Sequence, residues 1–189
     1  MIHGLWNSSS IFSFITPKLD DIGIEYFAPT LNHSYGMTSI IDLTDFLNEL
    51  IIERYGLEKE IDILGFSMGG IIGRNWIKKC KGYKRTRRFI SIGSPHKGTL
   101  LSQLVPKYPF RGISEMKINS LLLRELSKYD YLLNNIECIS FFTYWDLMVF
   151  PGWRANLNAG EKISLNILKH RNLVKNQLAI EKIIEKIMM

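Results

Sequence analysis

The sequence has no run of about 18 or more apolar residues, which excludes a membrane-spanning helix of ordinary length. Its first residues carry no basic segment followed by an apolar stretch and a small-residue cleavage site, so the sequence predicts no export and a cytoplasmic location. Cysteine is scarce. Cys80 and Cys138 stand far apart without metal-ligand spacing, which argues against a disulfide framework or a metal site and predicts two reduced thiols. There is no internal repeat and no low-complexity tract. What remains is a chain of 189 residues, 46% hydrophobic, long enough to bury one substantial core over residues 1–189.

The formal net charge of +6 comes in part from one cluster: Lys78, Lys79, Lys81, Lys84, Arg85, Arg87 and Arg88. Such a cluster could meet an anionic membrane surface, which makes a peripheral membrane contact through Lys78–Arg88 one expectation. The plainer reading is a solvated helix end, where cations favour the negative pole of the helix dipole. No nucleic-acid reading module accompanies the charge, so no nucleic-acid partner is expected.

The chain is organised around Ile61 to Ile72. An apolar strand, Ile61 to Phe66, runs into Gly65-Phe66-Ser67-Met68-Gly69-Gly70 and then into a helical pattern ending near Lys81. This is G-x-S-x-G between a strand and a helix, the sequence mark of a serine held at a sharp turn. Gly65 and Gly69 remove the Cβ atoms that would collide where strand and helix pass.

The other elements follow from periodicity. Met1-Ile2-His3-Gly4 begins with a strand of only two residues, shorter than ordinary strands, so an N-terminal strand is expected to be vestigial or to start upstream. A helix or turn over Ile11–Ile15 is expected to stop at Thr16-Pro17, and Gly23 to Pro29 reads as a short strand. Thr38–Tyr55 has helical spacing closed by Gly56. Strands are predicted at Phe89–Gly93, Ile136–Thr143 and Ile163–Ile167, with helices over Ile113–Leu126 and Asn172–Met189. Residues 100–135 could be core or a lid-like insertion. The alternation predicts an α/β fold: a mainly parallel sheet of five or six strands with helices on both faces.

A serine hydroxyl is a poor nucleophile at neutral pH and needs a base, which needs an orienting carboxylate. Asp146 and His170 follow Ser67 in the order serine, acid, histidine, each just past a predicted strand, so both would project from the sheet edge that displays Ser67. Asp130 is a reserve acid. His3 and His96 precede the acid and sit in glycine- or proline-flanked turns, where bracing a loop is the expected role. Acyl transfer also needs amides aimed at the oxyanion: Met68, next to the nucleophile, and Leu5, after the close-approaching Gly4.

Together these blocks resemble the lipase and esterase branch of the α/β-hydrolase superfamily, close to small bacterial triacylglycerol-lipase-like proteins. His3-Gly4-Leu5-Trp6 resembles the oxyanion loop and Gly65–Gly70 the elbow. Gly93-Ser94-Pro95-His96-Lys97-Gly98-Thr99 resembles the G-[ST]-P-H-x-G block, and Glu115-Met116 with Asn119-Ser120 and Leu122–Leu126 the segment before the acid. The resemblance implies Ser67, Asp146 and His170 as a triad. It also implies hydrolysis of a small-molecule carboxylic ester or lipid through an acyl-serine, with no metal or organic cofactor. Two other readings stay open: a non-catalytic hydrolase-fold binding protein, and acyl transfer or thioester cleavage by the same triad. The short start departs from the family pattern, because the strand before His-Gly normally lies beside the elbow strand.

Overall fold

A computed structural model describes residues 1–189. Four parallel strands, β1 (Ile61–Phe66), β2 (Thr86–Ile92), β3 (Glu137–Phe142) and β4 (Glu161–Ser164), pair in chain order. In the shared register, Leu64 faces Ile90 and Ile90 faces Ile139. Side chains alternate between faces. Ile63, Phe89 and Cys138 point into one core, while Leu64, Ile90 and Ile139 point into the other.

Seven α-helices are α1 (Thr16–Asp21), α2 (Ile40–Tyr55), α3 (Met68–Lys79), α4 (Leu100–Gln103), α5 (Arg111–Glu115), α6 (Leu121–Lys128) and α7 (Gln177–Met188). The first core is roofed by α2, α3 and α6, through Leu43, Leu47, Ile72, Trp76 and Leu126. The second is closed by α1 and α7, through Leu19, Ile180 and Ile183. Helices thus cover both faces of a mainly parallel sheet, the α/β arrangement that the alternation predicts.

Local chemistry sets the helix ends. Ser39 caps α2 by accepting from the Asp42 amide at 3.0 Å, and Gly56, at φ 71°, closes it. Asn176 accepts from Leu178 and Ala179 at the start of α7.

Several predicted elements differ. The sheet has four strands where five or six are expected, because Gly23–Pro29 makes no ladder. That segment is joined to the N-terminus by the Met1 ammonium, which donates to the Phe27 carbonyl at 2.5 Å. On the edge of β1 opposite β2, the first residues contribute a one-residue parallel bridge, Ile2 to Gly65. An apolar groove of about 420 Å³ lies between β1 and that extended run. Pro17 opens α1 rather than ending a helix, since its missing N–H lies where helical amides are unpaired in any case. The pattern over Ile113–Leu126 breaks into α5 and α6, where Asn119 takes φ 60° and Ser120 caps the second helix. The last strand is Glu161–Ser164 rather than Ile163–Ile167, started by Gly160 at φ 75°. Residues 170–174 form a 3-10 turn before α7 begins.

Candidate active site

Ser67 stands between β1 and α3 with φ 55° and ψ −126°, a conformation that costs a non-glycine residue about 1–3 kcal/mol. The surroundings enforce it. The Ser67 amide donates to the Ile92 carbonyl at 2.8 Å, and Ser67's carbonyl accepts from Gly70 at 3.1 Å. A Cβ on Gly65 would lie 2.5 Å from the Gly70 Cα, and one on Gly69 would strike the Ile2 and His3 carbonyls. Both glycines are therefore required by close backbone approach, and Ser67 remains partly open to solvent.

Asp146 and His170 meet. Asp146 Oδ2 lies 2.6 Å from His170 Nδ1, and Asp146 Oδ1 accepts from the Met148 and Val149 amides at 2.9 and 3.0 Å. The carboxylate is 1% exposed, so its charge is held by these three donors alone. A carboxylate facing Nδ1 fixes the hydrogen there and leaves the Nε2 lone pair free. Nε2 is buried and has no protein partner, and no hydrogen bond yet joins it to the Ser67 hydroxyl. The imidazole lies over the Phe66 ring, with centroids 4.9 Å apart, and abuts Gly93. At φ 55° a side chain on Gly93 would be strained, and its Cβ would lie 3.0 Å from His170 Cε1.

Ser67, His170 and Leu5 line one cleft of about 590 Å³. Gly4 lies against the serine: a Cβ there would be 2.6 Å from Ser67 Cβ. The Leu5 amide has no protein acceptor, and the Met68 amide, first in α3, has no partner one turn earlier. Two amides are thus unspent beside the hydroxyl.

His3 and His96 are occupied elsewhere. His3 is buried, accepts from the Leu31 amide at Nε2 (2.8 Å) and faces the Gly4 carbonyl through Nδ1 at 2.9 Å, which ties the Gly4 loop to Leu31. Burial lowers its pKa. His96 Nε2 lies 2.6 Å from Ser91 Oγ, and burial, with help from Arg74 and Lys97, holds its pKa well below the ordinary histidine value. Asp130 is committed to Arg74, at 2.5 Å, and to Asn158. The cysteines form no disulfide, and burial pushes the Cys138 thiol up to about 12, which leaves no thiolate at neutral pH.

Some contributors carry no pattern of their own in the sequence. The Met148 and Val149 amides are visible only once the loop after β3 has turned back on Asp146. Thr99 pins that loop: its hydroxyl donates to the Met148 carbonyl at 2.9 Å and accepts from the Phe150 amide at 3.1 Å. The seat of His170 at Gly93 had a signal, a glycine at the end of β2 in the G-S-P-H-x-G block.

The predicted lid region contributes to both sides. Leu101, Val105, Ile113 and Met116 line the cleft, while Leu122, Leu123 and Leu126 are buried in the core. The Lys78–Arg88 cluster lies at the end of the sheet where β1 and β2 begin, away from Ser67. Four of its seven cations are paired, with Glu125, Asp45, Asp62 and Glu137. No helix is long and apolar enough to cross a membrane.

Comparison with known proteins places this geometry in context. No curated protein matches the sequence significantly. Among solved structures, the mature form of a Bacillus licheniformis lipase superposes with a TM-score of 0.73 at 16% identity, covering 98% of this chain and 89% of the lipase. Aspergillus fumigatus lipase B gives a TM-score of 0.78 at 16% identity over 95% of this chain, which spans 49% of that protein. Polyneuridine aldehyde esterase gives 0.67 at 13% identity, covering 100% of this chain and 97% of the esterase. At these identities the likeness is one of fold. The family model described as palmitoyl protein thioesterase matches residues 4–145, from the Gly4 loop through β3 to the residue before Asp146. The chain therefore belongs to the palmitoyl protein thioesterase family and is a lipase- and esterase-like α/β-hydrolase.

Proposed function

We propose that this protein is a serine hydrolase that cleaves carboxylic esters of a small-molecule or lipid substrate through an acyl-serine intermediate. Ser67 Oγ attacks the carbonyl carbon while His170 Nε2 takes its proton, and the electron pair of the carbonyl moves onto oxygen. The Leu5 and Met68 amides face that oxyanion; losing one such donor typically lowers turnover about 10²–10³-fold. Collapse expels the alcohol, which receives the proton from His170, and water then repeats the sequence to release the acid. Asp146 holds the imidazole in the tautomer that leaves Nε2 available and stabilises the imidazolium.

One observation carries this reading. The Asp146–His170 pair, with Nε2 unpartnered, opens into the same cleft as a serine held at positive φ. The missing serine–histidine hydrogen bond is of the kind that tightens only when substrate is bound. The test is labelling with a fluorophosphonate probe: the wild-type protein should form an adduct and Ser67→Ala none. Absence of a serine-dependent adduct would leave a non-catalytic binding protein as the better reading.

A second reading has its own support, since the matching family is described as thioesterases. An oxygen ester and a thioester of one acyl chain, assayed side by side, separate the two, and added alcohol acceptors reveal acyl transfer. The free thiols fit a reducing, cytoplasmic setting.

A further inference from the structure

We infer that the cleft takes an acyl ester or thioester whose leaving group carries a phosphate. The inference rests on the proposed chemistry for its orientation, and on the cleft's walls for everything else.

The lining is of two kinds. Leu101, Val105, Ile113 and Met116 are among its apolar residues. Lys169, Arg171 and Lys175 make it basic as well. No aspartate or glutamate lines the cleft, and none of the three cations belongs to a salt bridge. Arg171 makes one long contact, 3.5 Å to the Trp6 carbonyl, and Lys175 lies 5.6 Å from the centroid of the Phe14 ring. This differs from the Lys78–Arg88 cluster, where Asp62 and Glu137 pair with Arg87 and Arg88 at the start of the sheet.

Position adds the orientation. Lys169 and Arg171 are the chain neighbours of His170, the residue that would protonate the leaving group. The apolar part of the lining suits an acyl chain, since burying methylenes away from water is favourable. A substrate with its chain on these apolar residues and its carbonyl at Ser67 would bring its leaving group to His170 and so to the cations that flank it. A phosphate there would meet three unpaired positive charges and no negative one. The site volume of about 590 Å³ suits one chain with its headgroup.

The test uses ligands that cannot react, so it is independent of catalysis. A decyl ether of glycerol phosphate and the same decyl ether of glycerol, both dispersed as monomers, are titrated calorimetrically into the full-length protein. The phosphorylated ether should bind at least about tenfold more tightly at low ionic strength, with the gap narrowing above about 0.1 M salt, where the Debye length is about 10 Å. Lys169→Gln, Arg171→Gln and Lys175→Gln combined should bring the ratio near unity while the thermal melt stays cooperative. Equal binding of the two ethers by the wild-type protein would overturn the inference, as would a preference that is insensitive to salt, a reading that needs no variant to fold. A preference seen only on vesicles containing phosphatidic acid, and absent for the dispersed pair, would also overturn it, because the charge would then be read by a surface and not by the cleft. Failure of Ser67 labelling would instead sink the proposed chemistry and leave this binding result standing.

Discussion

At the level of single residues, the site depends on where hydrogens and Cβ atoms are allowed. Asp146 accepts three hydrogen bonds, and only one of them, to His170 Nδ1, bears on the tautomer. Asp146→Asn keeps a carbonyl oxygen for the Met148 and Val149 amides but turns an NH2 toward the imidazole Nδ1, where the carboxylate accepted. Ester turnover should fall about 10³–10⁴-fold, with the melting temperature changed far less. A kcat within tenfold of wild type would remove Asp146 from the mechanism. Gly4 is required for a different reason, the 2.6 Å separation between any Cβ there and Ser67 Cβ. Gly4→Ala should push the Leu5 amide off the oxyanion position and lower kcat about 10²-fold with little change in KM. The meeting of Asp146 with His170 at the strand ends could be anticipated from chain order, because strand-end placement after G-x-S-x-G leaves few candidates. The Met148 and Val149 donors could not, since an unremarkable amide gains its role only from the fold of its loop.

At the level of elements, α3 does the positioning. Its N-terminus carries the serine, and its middle is clamped to the sheet by Gly69, Gly70 and Gly73, where added Cβ atoms would meet Ile2, Ser94 and Ile63. The next residue, Arg74, is 4% exposed and paired at 2.5 Å with Asp130, which is 19% exposed. Burial lowers the guanidinium's pKa and the Asp130 charge works against it, so the pair holds a cation that the core would otherwise reject. Arg74→Met should destabilise the fold by about 3 kcal/mol, measured by urea unfolding, because it strands the Asp130 carboxylate. Adding Asp130→Asn should recover part of the loss, and additive losses would show that the two charges are not coupled. Helix ends such as Ser39 and Gly56 were legible because a cap is a property of adjacent residues. Gly23–Pro29 was not, because a strand exists only if another backbone lies alongside, and the segment's own composition does not say whether one does.

At the level of the whole molecule, two apolar cores on opposite faces of one sheet hold the strand ends together, and buried titratable groups make that arrangement sensitive to acid. His3 and His96 are depressed below 6.5 by burial, so both stay neutral in the fold while the unfolded chain takes up protons. Their contribution is complete above that value and is lost as the pH falls beneath it, at up to about 1.4 kcal/mol per pH unit for each group. Unfolding midpoints should therefore drop between pH 7 and pH 5, and His96→Gln should flatten that slope; an unchanged slope would mean that His96 gains its proton without opening the core. Glu115, raised by burial, works in the opposite sense and offsets part of the effect. The sequence by itself determined the alternation of strands and helices, the turn that holds Ser67, and the order of serine, acid and histidine, because these depend on periodicity, backbone sterics and neighbours in the chain. Only the tertiary structure decided that Asp146 Oδ2 meets His170 Nδ1, that Asp130 is consumed by Arg74, and that Lys169, Arg171 and Lys175 share one cleft with Leu101, Val105 and Ile113. Each of these is a distance between side chains far apart in the chain, set by packing that no local pattern encodes.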